Sequence, residues 1–495
     1  MSGQDSARGR FDLGRWAIHS LILISVAPVS AQRTNRSDYV EKPSPLVASP
    51  VASSSEVAEL TFDAAAYQAV KSADRVTLRA FQASPTSRFD LELERKEVLA
   101  HNAQIVLGTP EGDTPMPRPD VAIYRGRIAG DADSKVFMSF SPFGSNGFIR
   151  TGGRLFMLSS RYERQGVKTV AYDMAAFPLL LANPTPWQCG TDALAIPPDR
   201  LAWVNREDRV MSVASSQDIT RRATLAIETD WEFTGTLFGG NTSASSAYAT
   251  TLIGAVGEIY IEQIETDLEI GFLRIWSNSS DPWTSSNTSN QLSQFVSYWN
   301  ANMGSVTRHA AHMLSGRNLG GGIAYLYGLC SDGFDYAVSA NLDGSFPYPL
   351  QDHNSGNWDI MVTAHELGHN FGAPHTHSMS PPVDQCGSGN CAGASNGTIM
   401  SYCHTCPGGM SNIILDLHQR VIDEEILPFL NFGVECSLST EPVDCGAIQS
   451  PATHALGGMN RYLAVVPGNP GQRTAIKITY DSVPPPNQHL TGKVV

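Results

Sequence analysis

The sequence predicts a mixed α/β domain placed behind a β-rich N-terminal region. Three observations carry this. Between Leu60 and Leu180 short β-like runs are broken by Gly, Pro and Asp, the pattern of antiparallel meanders. From Ala223 onward strand-like and helix-like apolar patterns alternate. Within that second part, the stretch TAHELGHNFGAPHTH (Thr363–His377) holds four of the chain's 13 histidines.

The chain of 495 residues, 42% hydrophobic and 17% charged, is long enough for roughly two to four domains with real cores. A net charge of −14 speaks against nucleic acid as a partner, since a nucleic-acid binder needs a basic face. No apolar run reaches the roughly 18 residues of a transmembrane segment.

At the N-terminus, Arg8, Arg10 and Arg15 lead into the mostly apolar run Trp16–Ala27, and PVSA ends at Ala31 as a small-residue cleavage site. Residues 1–31 are therefore expected to be a signal peptide, and the protein to be secreted. Residues 32–210 read as a β-rich region that opens with a Ser/Pro-rich linker, Arg33–Glu56. Inside it, Val136–Leu158 alternates, turns and alternates again. A connector carrying Arg206, Arg209, Arg221 and Arg222 leads into the α/β domain, residues 222–432.

In that domain ATLAIETDWEF, from Ala223, reads as a strand. Ser246–Leu268 carries a helical stripe of Leu252, Val256, Ile259, Tyr260, Ile264 and Leu268. Glu269–Trp276 reads as a second strand, and Gln291–Asn302 as a helix with Leu292, Phe295, Val296 and Trp299 on one face. HAAHMLSG, GGIAYLYGLC and DYAVSANL are short and strand-like, and the histidine-bearing helix begins near Trp358. Residues 433–495 read as the start of a C-terminal β-rich region that the sequence leaves incomplete.

Seven of the eight cysteines crowd into the last third of the chain, from Cys330. In an oxidising compartment such crowding reads as disulfides. The same holds for Cys403 and Cys406, which do not sit between a strand and a helix start as a redox pair would. Five glycosylation sequons, at Asn35, Asn241, Asn278, Asn287 and Asn396, matter only in a host that glycosylates.

His365 and His369 stand one helical turn apart on one face, the spacing with which two imidazoles reach one zinc ion. Glu366, one residue on, is rotated off the ligand direction and can reach a water without binding the metal. Gly372 tolerates the left-handed turn that ends the helix, Pro374 prevents its resumption, and His375 returns toward the same ion. Three imidazoles leave one tetrahedral position open, the mark of a catalytic zinc.

H-E-x-x-H-x-x-G-x-x-H followed by a methionine turn, here GTIMSYC with Met400, is the metzincin signature. HELGHNFGAPH most closely resembles the reprolysin (adamalysin) family of secreted zinc endopeptidases, in particular its bacterial-type members. The resemblance covers about Arg222 to Phe432. It implies an α+β catalytic domain with a twisted mixed sheet and an active-site helix, one catalytic Zn2+, a polypeptide substrate, and a propeptide that inhibits its own enzyme. It also implies His365, His369 and His375 as zinc ligands, Glu366 as base, and Met400 as the floor beneath the metal. GGIAYLYGLC resembles the family's cleft-lining edge strand, which would bind an extended peptide by strand addition.

Three departures stand out. Thr376 and then His377 follow the third ligand, where many members have Asp. Tyr402 occupies the position of a tyrosine that approaches zinc in astacin-like and serralysin-like metzincins, and so is a candidate for transition-state contact. Thr224 stands where several relatives carry a calcium-binding glutamate, so calcium is not assigned.

Cys189, in PWQCGTD, has two readings: a switch holding the zinc in the precursor, as propeptide cysteines followed by Gly do in related families, or a disulfide with one of the other seven. Two other functions compete with the peptidase: a binding protein on an inactive protease fold, against which the intact Glu366 speaks, and a zinc amidase, against which the peptide-like edge strand and the long N-terminal region speak.

Overall fold

The computed structural model describes residues 39–49, 56–163, 166–176, 187–205, 221–346, 358–434 and 436–438, and the strand residues 452–456, 459–464 and 477–480. The expected signal peptide, connector residues 206–220 and Cys445 lie outside these. The chain divides into two compact units, one of residues 36–443 and one of residues 1–35 with 444–495. In the latter, Ala452–Leu456, Met459–Ala464 and Lys477–Tyr480 form an antiparallel sheet.

The larger unit holds two sheets. A ten-stranded, mostly antiparallel sheet is drawn wholly from residues 40–173. Its centre includes the expected meander, Lys135–Phe140, Asn146–Thr151 and Arg154–Glu163 in successive antiparallel pairs. Part of the expected linker is not linker: Val40–Lys42 and Leu46–Ala48 are the two edge strands. Such short edge segments carry no hydrophobic alternation long enough to be read locally.

The second sheet has seven strands, in the order Gly322–Ala324, Tyr336–Ser339, Ala310–Leu314, Arg221–Thr229, Thr266–Trp276, Leu99–Gly108 and Thr114–Pro115. All pairs are parallel except the outermost on each side. Its last two strands come from the N-terminal region, which thus extends the sheet of the α/β domain.

The helix Thr242–Ile264 makes the crossover between two of the parallel strands, as parallel pairing requires. Asn241, one of the sequon asparagines, caps it by accepting from Ser243 and Ala244 backbone N–H at 3.1 and 3.0 Å. The helix stops before the apolar stripe does: Glu265 turns left-handed at φ 54°, and Leu268 belongs to the following strand. Similarly, the expected strand from Ala223 ends at Thr229, because the Asp230 side chain accepts from Phe233 N–H at 2.7 Å and starts a short helix, Trp231–Gly235.

One hydrophobic core joins both sheets through the long helix. A Cβ on Gly254 would lie 3.1 Å from Val98 and 3.3 Å from Phe137, so a larger residue there would push the N-terminal region away. Lys96, from that region, is buried with its Nζ 2.8 Å from Asp267 and 3.1 Å from Glu258. Removing one member of such a group leaves buried charge uncompensated. Lys96→Ala is expected to cost about 3–5 kcal/mol, read as a lowered denaturant midpoint; an unchanged midpoint would show that the carboxylates are solvated.

Candidate active site

The helix Trp358–Asn370 is buried along its whole length. Tyr248 donates to Asp359 at 2.7 Å near its start and Tyr260 to the Ala364 carbonyl at 2.9 Å midway. Gly372 ends it at φ 92°, and a Cβ there would press on Phe429 and Tyr327 at 2.9 and 3.0 Å. Both left-handed geometry and crowding therefore demand glycine.

The turn brings His375 back to the helix. Each of the three imidazoles has its Nδ1 at an acceptor: His365 on Ile399 O at 2.6 Å, His369 on Ala373 O at 2.7 Å, and His375 on Asp192 Oδ2 at 2.9 Å. An Nδ1–H held in this way turns the Nε2 lone pair inward. The Nε2 atoms of His365 and His369 lie 3.1 Å apart, and that of His375 is buried without a protein partner. Burial lowers the pKa of all three rings, keeping them neutral, the form that binds metal. Ligand atoms of Cys189, His365, His369 and His375 all lie within 4.8 Å of one another. The set fits zinc in number, chemistry and convergence.

Glu366 is fully buried beside this centre, and burial pushes its carboxyl well above the ordinary range. Its Oε1 has no protein hydrogen-bond partner. Gly322, on the outer edge strand of the sheet, makes room for it: a Cβ there would lie 2.2 Å from that oxygen. Met400 packs beneath, and a Cβ on Gly368 would meet its sulfur at 2.7 Å, which accounts for the glycine inside HELGH. Where relatives have Asp, Thr376 ties the ligand loop down, its N–H on Met400 O at 3.0 Å and its hydroxyl on Asp384.

A segment from the N-terminal region occupies the cleft. The Cys189 sulfur lies 3.4 Å from both Glu366 Oε2 and His369 Nε2. Cys189 is free, while Cys330–Cys436, Cys386–Cys403 and Cys391–Cys406 are disulfides. Cys403 and Cys406 are thus bonded, but not to each other; they pin the methionine turn to the loop after His375. Gly190 N–H donates to Gly322 O at 3.2 Å, and the Thr191 hydroxyl bridges Ala324 N and O, so the segment lies along the edge strand. Tyr402 Oη donates to Cys189 O at 2.9 Å and accepts from its N–H at 3.1 Å. His377 stacks on His375 at 5.1 Å, its Nε2 3.7 Å from Asp192, outside the convergent set. Bonds from His375, then His377, hold the Asp192 carboxyl far below its usual range.

Sequence reasoning missed Asp192, Thr191 and Trp187. The available signal was that a buried ligand histidine needs an Nδ1 acceptor, and PWQCGTD carries a carboxylate three residues after its cysteine.

Residues 219–413 match the reprolysin-type sequence family described as Metallo-peptidase family M12. Among solved structures, metalloproteinase-II from Bacteroides fragilis is similar at 11% identity over 61% of this chain and 81% of that one, with a TM-score of 0.31. A chaperone–substrate complex is similar at 9% identity over 49% of this chain and 28% of that one, with a TM-score of 0.25. Neither score supports an argument about the fold.

Gly322→Ala is expected to displace Glu366 and lower peptidase turnover at least about 100-fold, as a misplaced catalytic group does, with zinc content unchanged. Turnover and metal analysis on one sample check this, and near-normal turnover would contradict the placement of Glu366.

Proposed function

We propose that the chain, whose residues 219–413 match the reprolysin-type M12 metallopeptidase family, is a secreted zinc endopeptidase made as a latent precursor. The observation that carries this is the convergence of three neutral imidazoles beside a buried carboxyl, at the outer edge strand of a sheet. His365, His369 and His375 would hold the zinc, which when bound supplies a Lewis acid that acidifies a water and polarises a carbonyl.

Glu366 then takes the proton of the attacking water and returns it to the leaving amine. Its lack of any competing partner on Oε1 suits that task. The edge strand Gly322–Ala324 binds the substrate's main chain, largely independent of its side chains. Once Cys189 has left, the Tyr402 hydroxyl is released from that residue's backbone and becomes available to a substrate carbonyl.

In the precursor Cys189 would be the fourth residue to hold the metal, while Thr191 covers the edge strand and Asp192 holds His375. Cleavage in the connector between Arg206 and Arg222 is what releases this segment.

Glu366→Gln is expected to keep zinc and fold while losing at least about 1,000-fold in protein digestion, because only the proton carrier is removed. Retained digestion with zinc bound would sink the assignment. Cys189→Ala is expected to make the uncleaved precursor digest protein, since a thiolate no longer fills the open position. A zymogram of uncleaved wild type beside this variant decides it, equal silence of the two counting against the switch.

A further inference from the structure

The three imidazoles of the cleft are not aimed alike. His365 and His369 each donate from Nδ1 to a main-chain carbonyl of their own domain. Among the described residues the ring of His375 hydrogen-bonds only to the Asp192 carboxylate, at 2.9 Å. Packing against Tyr402 at 4.6 Å and His377 at 5.1 Å fixes the plane of His375, but not which edge of the ring faces inward. A neutral imidazole left to itself carries its proton by preference on Nε2, the atom a metal needs bare. An acceptor at Nδ1 reverses that.

Asp192 is itself held in place. It lies in the single 3-10 turn Thr191–Ala193. The Thr191 hydroxyl fastens this turn to the edge strand, accepting from Ala324 N–H at 3.1 Å and donating to Ala324 O at 2.9 Å. The ring of His377, within 9° of parallel to that of His375, brings its Nε2 to 3.7 Å from the same carboxylate oxygen. The carboxylate meets the Nδ1 edge of His375, so it acts on the site through that ring.

We propose that Asp192 is a positioning residue for the metal. While the N-terminal segment is seated, its carboxylate fixes the proton and the orientation of His375, so the segment that closes the cleft also completes the site for zinc uptake. The inference rests on the peptidase reading, because it needs zinc at the three imidazoles. It differs from the part given to Cys189, whose sulfur would touch the ion itself. It also sets an order of events: the metal is taken up before the connector is cut, while the third ligand still has its acceptor. Outer partners of ligand histidines are worth roughly 10–100-fold in metal affinity. The Asp192 side chain is 56% exposed, and solvent screens its charge, which puts it at the lower end of that range.

The test reads zinc affinity, not activity. All chains are full-length and carry Glu366→Gln, which stops them cutting one another, and zinc is competed away with a coloured chelator. Asp192→Ala is expected to weaken zinc binding about ten-fold. Asp192→Asn, which keeps an acceptor for Nδ1–H and gives up the charge, is expected to lose less. The comparison is repeated with Cys189→Ala added, and the ten-fold loss is expected to persist because it runs through His375. A loss that disappears with the cysteine means that Asp192 only seats the thiol, and overturns the proposal. Equal affinities of Asp192→Ala and its parent overturn it too, and leave the peptidase standing. A parent chain that binds no zinc fails as a zinc peptidase, and the proposal falls with it.

Discussion

Everything around the cleft depends on pointing three neutral imidazoles at one spot inside a dry core. Each ring is aimed by what its Nδ1 meets, and the acceptors have different origins: a carbonyl within the methionine turn, a carbonyl just past the helix end, and a carboxylate from the N-terminal region. Two of them are backbone atoms of the α/β domain and stay with it. The third reaches across 183 residues of chain. Much of the surrounding fold follows from this demand. The helix is buried on all sides, its end is forced to turn at Gly372, and three glycines, at 321, 322 and 368, stand where any side chain would collide with a functional group.

What was legible in the sequence was local. The turn-spaced histidines, the left-handed glycine and the methionine turn lie within a few dozen residues, and their chemistry needs no partner elsewhere to be recognised. The strands and helices of the α/β domain came out near their expected places for the same reason, their periodicity being carried by their own apolar residues. The errors lie where a side chain or a distant strand overrides that pattern. Asp230 converts the end of a strand-like run into a helix start, and Glu265 breaks a stripe that continues to Leu268. Register and pairing between remote strands are not written in either one alone, so nothing in Leu99–Gly108 signals that it lies beside Thr266–Trp276. Nor does a cysteine name its partner.

The N-terminal region engages the α/β domain in two ways of different physical kind. In the cleft it is held by separate contacts, polar ones at Cys189, Gly190, Thr191 and Asp192 and ring packing at Trp187. On the far side of the sheet it is held by main-chain pairing and by a shared core. Lys96 is buried between two carboxylates there, and Arg274 lies within 2.7 Å of Asp113 as well as 3.2 Å from the buried Glu228. The first set can be undone by exchanging partners one at a time with water or peptide. The second must be undone together, because any half-separated state strands buried charge.

The strand Leu99–Gly108 has a further consequence. It covers the outer side of Thr266–Trp276 from Ile270 to Trp276, on a strand made for the interior, with Leu268, Ile270, Leu273 and Ile275 fully buried. Stripped of that neighbour, Thr266–Trp276 becomes a long, apolar margin of unanswered N–H and C=O groups, the kind of template on which chains polymerise. The N-terminal region, which fills the cleft with one segment, therefore with another keeps this margin from meeting a second molecule.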